Sequence, residues 1–322
     1  MTPSRRSLLL AAAALSAPVP LAAQGAWPAR PVRLVVPYAA SGGTDILARA
    51  MAEAMRPSLP QAIVVENRAG AAGVIGSETV ARAEPDGHTL LMVVSTHVMN
   101  RYHLPSMPFD PIRDFAPVAM LTRNTMVLVA GTSQPFDSLR TMVDYAKRNP
   151  GRVGTGSTEA LSSFIGQELA RRAGIETPDI AYRSGGLLMN DIVAGHLPVG
   201  WTSTVSATPH MQTGRVRILA VSTATRTPFF PDVPTAAEQG VADFDLAGWV
   251  ALLGPPRMAA PLVEQVGAAV HRVFEDAGFQ QRLAALGVER DFRPAPALLE
   301  AMKRDDRIWA AAAQAGHIRP QQ

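Results

Sequence analysis

The polypeptide has 322 residues, of which 47% are apolar and 18% charged, and it contains no cysteine. Such a chain buries a sizeable core, and its length suits two domains better than one. The missing cysteines exclude disulfides, thiolate metal sites, cysteine nucleophiles and iron–sulfur clusters, and a net charge of +3 with no basic run speaks against nucleic acid.

The first 25 residues read as an export leader. Arg5 and Arg6 precede an apolar run from Leu8 to Leu15, Pro18 and Pro20 break it, and Ala22, Ala23 and Gly25 form a small-residue exit. The run is too short for a bilayer, which needs about 20 residues. The arginine pair is similar to a twin-arginine signal, so either export route fits. The mature chain is expected to be a soluble periplasmic protein, and a monomer.

Beyond the leader, strands and helices alternate. Val32 to Val36 (VRLVV) is a short buried strand, the Ser41-Gly42-Gly43-Thr44-Asp45 turn follows, and Ile46 to Met55 has helical spacing. Ile63 to Glu66 is a second strand, Val74 to Ala83 a helix and Thr89 to Val94 a third strand. Tyr102 to Pro117, rich in proline and aspartate, reads as an ordered loop. Val118 to Leu121 and Met126 to Ala130 are strand-like, and Ser138 to Lys147 is helical. A second glycine turn, Gly154-Thr155-Gly156-Ser157-Thr158, opens a helix near Ser162 to Ala173. Strands are expected near Ile180, at Pro198 to Trp201, Arg217 to Val221 and Gly248 to Leu253. Helices follow at Leu262 to Phe274, Phe279 to Leu286 and Leu298 to Ala315. The alternation predicts an α/β fold with mainly parallel sheets, one in each half of the chain.

The two glycine turns are the candidate sites. Backbone N–H groups at a helix start, with the helix dipole, favour an anion, and glycine lets it come close. The competing reading is an ordinary capped turn. Gly70, Gly73 and Gly76 have the wrong spacing for a dinucleotide fingerprint. The histidines are scattered without an i, i+4 pair, so no metal site and no cofactor are expected. No Gly-x-Ser-x-Gly elbow is present.

Eight segments carry a resemblance. Trp27-Pro28 with VRLVVPYAASGGTDILAR, then VVENRAGAAGVIG, AEPDGHTLL, MPFDPIRDFAPVAML, AKRNPGRVG, DVPTAAEQG and GWVALLGPP occur in order over almost the whole mature chain. Together they resemble the tripartite tricarboxylate transporter substrate-binding proteins, the Bug family of periplasmic receptors. The resemblance implies a type II periplasmic binding protein: two α/β lobes joined by two crossover strands, near Thr122 to Val127 and Gly248 to Leu253, with a ligand cleft between them. Lobe 1 is then 26–124 plus 249–322, and lobe 2 is 125–248. It implies a receptor without catalysis that captures a small carboxylic acid for membrane transporter subunits of the tripartite tricarboxylate type.

The residues expected to meet the ligand are Tyr38, Ala40, Ser41, Gly42, Gly43, Thr44, Ser95 and Thr96 in lobe 1. In lobe 2 they are Ser157, Thr158, Tyr182, Ser184, Trp201 and Thr202. Asp45 is expected to cap the helix. The chain departs from the family pattern where Phe164 stands in place of a common histidine and Thr202 in place of a common aspartate. Without that acid, and with the flat face of Trp201 beside it, lobe 2 is expected to favour an acid with an apolar body over an amino acid, unless Glu159 or Asp191 swings in to supply the missing charge. The alternative is a secreted α/β hydrolase using Ser157 or Ser184 with His97 or His210, which requires a Ser–His contact in the cleft.

Overall fold

A computed structural model describes residues 27–40, 42–211, 213–316 and 318. The expected leader, 1–25, and Ser41 lie outside the described residues.

The chain opens with β1 (Val32–Val36), α1 (Gly43–Met55), β2 (Ile63–Asn67), α2 (Val74–Ala81), β3 (Thr89–Val94), α3 (Thr96–His103) and β4 (Ala116–Asn124). β1 shows why its run is almost wholly apolar. Val32, Leu34 and Val36 pack with Leu47, Met51 and Met55 of α1, while Val35 points to the other face, among Val74, Val80 and Leu91. A strand covered on both faces has no polar side to display.

Crossing at Thr125, the chain builds β5 (Met126–Gly131), α4 (Leu139–Arg148), β6 (Thr155–Ser157), α5 (Ala160–Ala173), β7 (Asp179–Ala181), α6 (Gly185–Ala194), β8 (Val199–Ser203), α7 (Thr204–Met211) and β9 (Val216–Val221). It then returns through β10 (Gly248–Gly254), α8 (Ala260–Glu275), α9 (Ala277–Ala285), β11 (Glu289–Pro294) and α10 (Ala295–Gln314).

Two sheets result. The first has order β11-β4-β10-β3-β1-β2 and the second β7-β6-β8-β5-β9. Both are mixed, which corrects the expectation of mainly parallel sheets. β1 runs parallel to β2 and β3, but β10 is antiparallel to β3 and β4, and β11 to β4. In the second sheet β6 is parallel to β7 and β8, whereas β5 is antiparallel to β8 and β9. The strands that enter and leave each sheet cause this, because a chain passing between sheets adds them without a helical crossover.

Some elements escape a local reading. α3 takes in Tyr102 and His103, assigned to a loop by their proline-rich surroundings. α7 carries Pro209 inside it, a residue that normally opposes a helix interior. β11 (ERDFRP) is polar because it is an edge strand, paired on one side only. Gly70 and Gly73 have φ of +140° and +95°, and a Cβ on Gly76 would lie 2.8 Å from Arg68 O. These glycines serve a turn and a close backbone contact.

The passage between sheets is pinned by hydrogen bonds. Thr125 Oγ1 donates to Glu289 Oε2 at 2.9 Å, and Thr227 Oγ1 donates to the same oxygen at 3.1 Å. Arg123 pairs with Asp245, which tethers β4 to the segment before β10. Among the described residues no helix is long and apolar enough to cross a membrane.

Candidate binding cleft

Two cavities, of about 850 and 520 Å³, open between the sheets, and Glu159 borders both. The smaller is lined by Gly43 and Thr44 at the start of α1, by Thr122 to Thr125 at the crossing, and by Ser203 to Val205. The larger is lined by Ser157, Thr158, Tyr182, Asp179 and the start of α5, faced by Met99 and His103 of α3.

The first glycine turn is built to receive something. Gly42 is the N-cap of α1, with extended backbone and no side-chain cap. A Cβ on Gly43 would meet nothing within 4 Å. The first turn of any α-helix has N–H groups without intrahelical acceptors, and here that turn borders the cavity. Asp45 does not occupy the cap position expected of it. It is the third residue of the helix, within its first turn, and pairs with Arg49 at 3.0 Å.

The second glycine turn is differently arranged. Gly154 leads directly into β6, and the helix begins later. Ser162 Oγ accepts from Thr158 N–H at 3.0 Å and from Glu159 N–H at 3.1 Å, and donates to Glu159 O at 2.9 Å. Two amides of the turn are therefore already engaged within the protein and are not open to a carboxylate. The next amides of α5 and the side chains of Thr158 and Glu159 are left to form the wall.

The other expected residues divide. Tyr38 lies behind the first turn, where its Oη accepts from Val94 N–H at 3.3 Å. Burial pushes its phenol up to about 12, against hydrogen bonds to Val94 and Thr96, and the charge of Glu159 adds to the rise. Thr96 therefore acts through Tyr38. Ser95 is buried, its N–H bound to Trp249 O at 3.0 Å. Tyr182 reaches the larger cavity and donates to Asp191 Oδ2 at 2.7 Å. Partial burial and that bond push its phenol up to about 12. Ala40 is exposed on the approach to α1 and lines neither cavity. Ser184 is exposed and caps α6, accepting from Leu187 N–H at 3.4 Å, away from both cavities.

Trp201 and Thr202 do not reach the cleft. Trp201 is 0% and Thr202 1% exposed, and the indole stacks on Phe244 with centroids 6.2 Å apart. Both sit on β8 in the middle of the second sheet, covered by helices on each face. The flat apolar face expected to select the ligand is core packing. Phe164 is also buried, although it borders the larger cavity.

Charge in the cleft is mainly acidic. Glu159, Asp179 and Glu289 line it. Asp179 Oδ2 accepts from Ser163 Oγ at 2.6 Å. Among the described lining residues the cations are Arg123, held by Asp245, and His103 when protonated. Glu159 forms a capping box with Ser162 at the start of α5. It is open to cleft water, yet protein surrounds it so closely that desolvation pushes its carboxyl above the usual range. Glu159 is not among the residues expected to meet the ligand, and the sequence offers it only as an acid able to swing in with its charge. It follows a strand by two positions and precedes a helix, a placement that a simple cap shares.

The Ser–His contact that a hydrolase requires is not formed by the expected pairs. His97 is buried between Phe109 and Phe115, with Nδ1 3.4 Å from Ser77 Oγ and Nε2 3.1 Å from Pro111 O. Burial pulls its imidazole down to about 4, so it packs as a neutral ring.

Comparison with known proteins agrees with this geometry. Residues 47–298 match the model of the "Tripartite tricarboxylate transporter family receptor". A protein encoded between tcbD and tcbE in Pseudomonas sp. (strain P51) is 32% identical over 290 residues, covering 88% of this chain and 85% of that protein. Protein BugT of Bordetella pertussis is 30% identical, covering 87% and 86%. Among solved structures, the periplasmic binding protein BugD superposes with a TM-score of 0.72 at 29% identity, over 92% of this chain and 100% of that one. MatC from Rhodopseudomonas palustris, with bound malate, has a TM-score of 0.71 at 29% identity, covering 89% and 100%. Rpa4515 of R. palustris, with adipate, has 0.76 at 26% identity, covering 92% and 100%.

Proposed function

Because this chain belongs to the tripartite tricarboxylate transporter receptor family, we propose that it is a periplasmic receptor that captures a small carboxylate and delivers it to membrane subunits of that transporter type. It works as a monomer and performs no chemistry on its ligand. The observation that carries the reading is the open first turn of α1, presented to a cavity whose opposite wall belongs to the second sheet. Such a turn suits a carboxylate without needing a cationic side chain.

Residues 26–124 with 249–322 form one lobe and 125–248 the other, and the lobes close on the ligand about the segments that join the sheets. Gly43, Thr44, Thr158, Glu159 and Tyr182 meet the ligand, and Tyr38 and Thr96 support them. The bound malate and adipate of the similar structures support this choice of ligand class. Residues 1–25 direct export and are removed.

A thermal-shift screen of the mature chain against mono-, di- and tricarboxylic acids and amino acids tests the reading, because a ligand that binds only the folded state raises Tm. A concentration-dependent rise with at least one carboxylate is expected. No rise with any acid would defeat the proposal.

A further inference from the structure

We propose that Glu159 selects a zwitterionic ligand, one that places its carboxylate at the start of α1 and a cationic nitrogen on the Glu159 carboxylate. This rests on the receptor reading above and names the ligand class within it.

Gly43, Thr44 and Glu159 border the same 520 Å³ cavity, so one small molecule can touch the α1 turn and Glu159 together. The two ends differ in sign. The α1 turn offers amides and the positive end of a helix dipole. Glu159 offers a carboxylate, whose two oxygens can accept several hydrogen bonds, so the capping box leaves acceptor sites for a ligand.

Around Glu159 the fixed charges are mainly acidic, and His103 is a cation there only when protonated. The titratable and charged groups facing it are Tyr38 from the β1–α1 connection, His103 of α3, Asp179 of β7, Tyr182 after β7, Arg123 of β4 and Glu289 of β11. Both tyrosines are held as neutral phenols. Asp179 and Glu289 add negative charge, and Arg123 is taken by Asp245. A dicarboxylate lying along the cavity would set its second carboxylate against Glu159, and two carboxylates in contact do not both stay ionised. An ammonium in the same place satisfies the enclosed acid with a charge-assisted hydrogen bond.

The two cases differ in their protons. A cationic nitrogen stabilises ionised Glu159, so binding releases the fraction of a proton that the free cleft holds there. A dicarboxylate would force Glu159 to take up a proton and donate it to the ligand oxygen.

The test compares matched pairs by titration calorimetry: succinate with 4-aminobutyrate, glutarate with 5-aminopentanoate, and adipate with 6-aminohexanoate. Each pair has one carbon count and differs in whether the far end is carboxylate or ammonium. The wild-type protein is expected to prefer the amino member of at least one pair by about tenfold or more, the scale of a hydrogen bond to a charged group. Buffers of different ionisation enthalpy should report proton release. Glu159→Gln keeps a side-chain oxygen that can accept from the Ser162 N–H in the capping box, and should abolish the preference while leaving the Tm of the empty protein nearly unchanged. Tighter binding of the dicarboxylate in every pair, with proton uptake, would overturn this inference and leave the receptor reading standing. An unchanged preference in Glu159→Gln would also overturn it. Failure of both members of every pair and of every acid in the wider screen would remove the receptor reading, and this inference with it.

Discussion

Trp249 of β10 donates its indole N–H to Asp305 Oδ2 of α10 at 2.8 Å, and so ties the last helix to the strand that returns from the second sheet. Asp305 is 6% exposed, and burial pushes its carboxyl up to about 6, opposed by Trp249 and Arg304. The folded protein therefore holds this proton more tightly than the unfolded chain, where the value is 3.8.

The stabilisation from a raised carboxyl is fully present below about pH 4 and is lost as pH rises to about 6. Asp305→Asn can still accept from Trp249 and does not ionise. The stability gap between this variant and wild type should move in favour of the variant by up to about 3 kcal/mol between pH 4 and pH 7. Urea denaturation at both pH values measures it, and a gap that does not change with pH would contradict the assignment.

Gly43→Val fills the place where a Cβ now meets nothing within 4 Å. The substitution is at the first helical position and should cost less than about 1 kcal/mol of stability. Its side chain projects toward the smaller cavity and should abolish carboxylate binding. Calorimetry decides the matter, since wild-type affinity in a folded Gly43→Val protein would move the site elsewhere.

Ser162→Ala removes the acceptor shared by the N–H groups of Thr158 and Glu159. Both amides then lie at the cleft wall without it. A loss of about 1–2 kcal/mol is expected, together with faster hydrogen exchange at these two amides. Exchange that is unchanged would show that Ser162 does not hold this loop.

Gly76→Ala tests whether this glycine is needed for packing. Its added Cβ would come within 2.8 Å of Arg68 O and Pro37 Cα, both backbone atoms that cannot swing aside. A loss of about 1–3 kcal/mol is expected, read as a lower midpoint in urea. A neutral substitution would mean that the β1–α1 connection shifts easily.

Several features were legible in the chain because they depend on neighbours in sequence. VRLVV reads as a strand covered on both faces, since Arg33 is its one polar residue. The Ser41-to-Asp45 turn between a strand and a helix had to present a helix start. The eight family segments identified the two-lobe fold before any contact was known.

The mixed sheets and the walls of the cleft were decided in three dimensions. β10 is antiparallel because the chain returns from another sheet, and no pattern within Gly248 to Gly254 records that. Trp201 has the composition of a ligand platform, yet its strand lies in the middle of the second sheet, where helices cover both faces. Glu159 looks like a cap in sequence and is one, but the approach of the first sheet also makes it part of the cleft wall. Periodicity and turn chemistry act over a few residues and specify the elements themselves. Burial and charge environment depend on atoms far away in the chain, so only the packing of the two sheets could assign them.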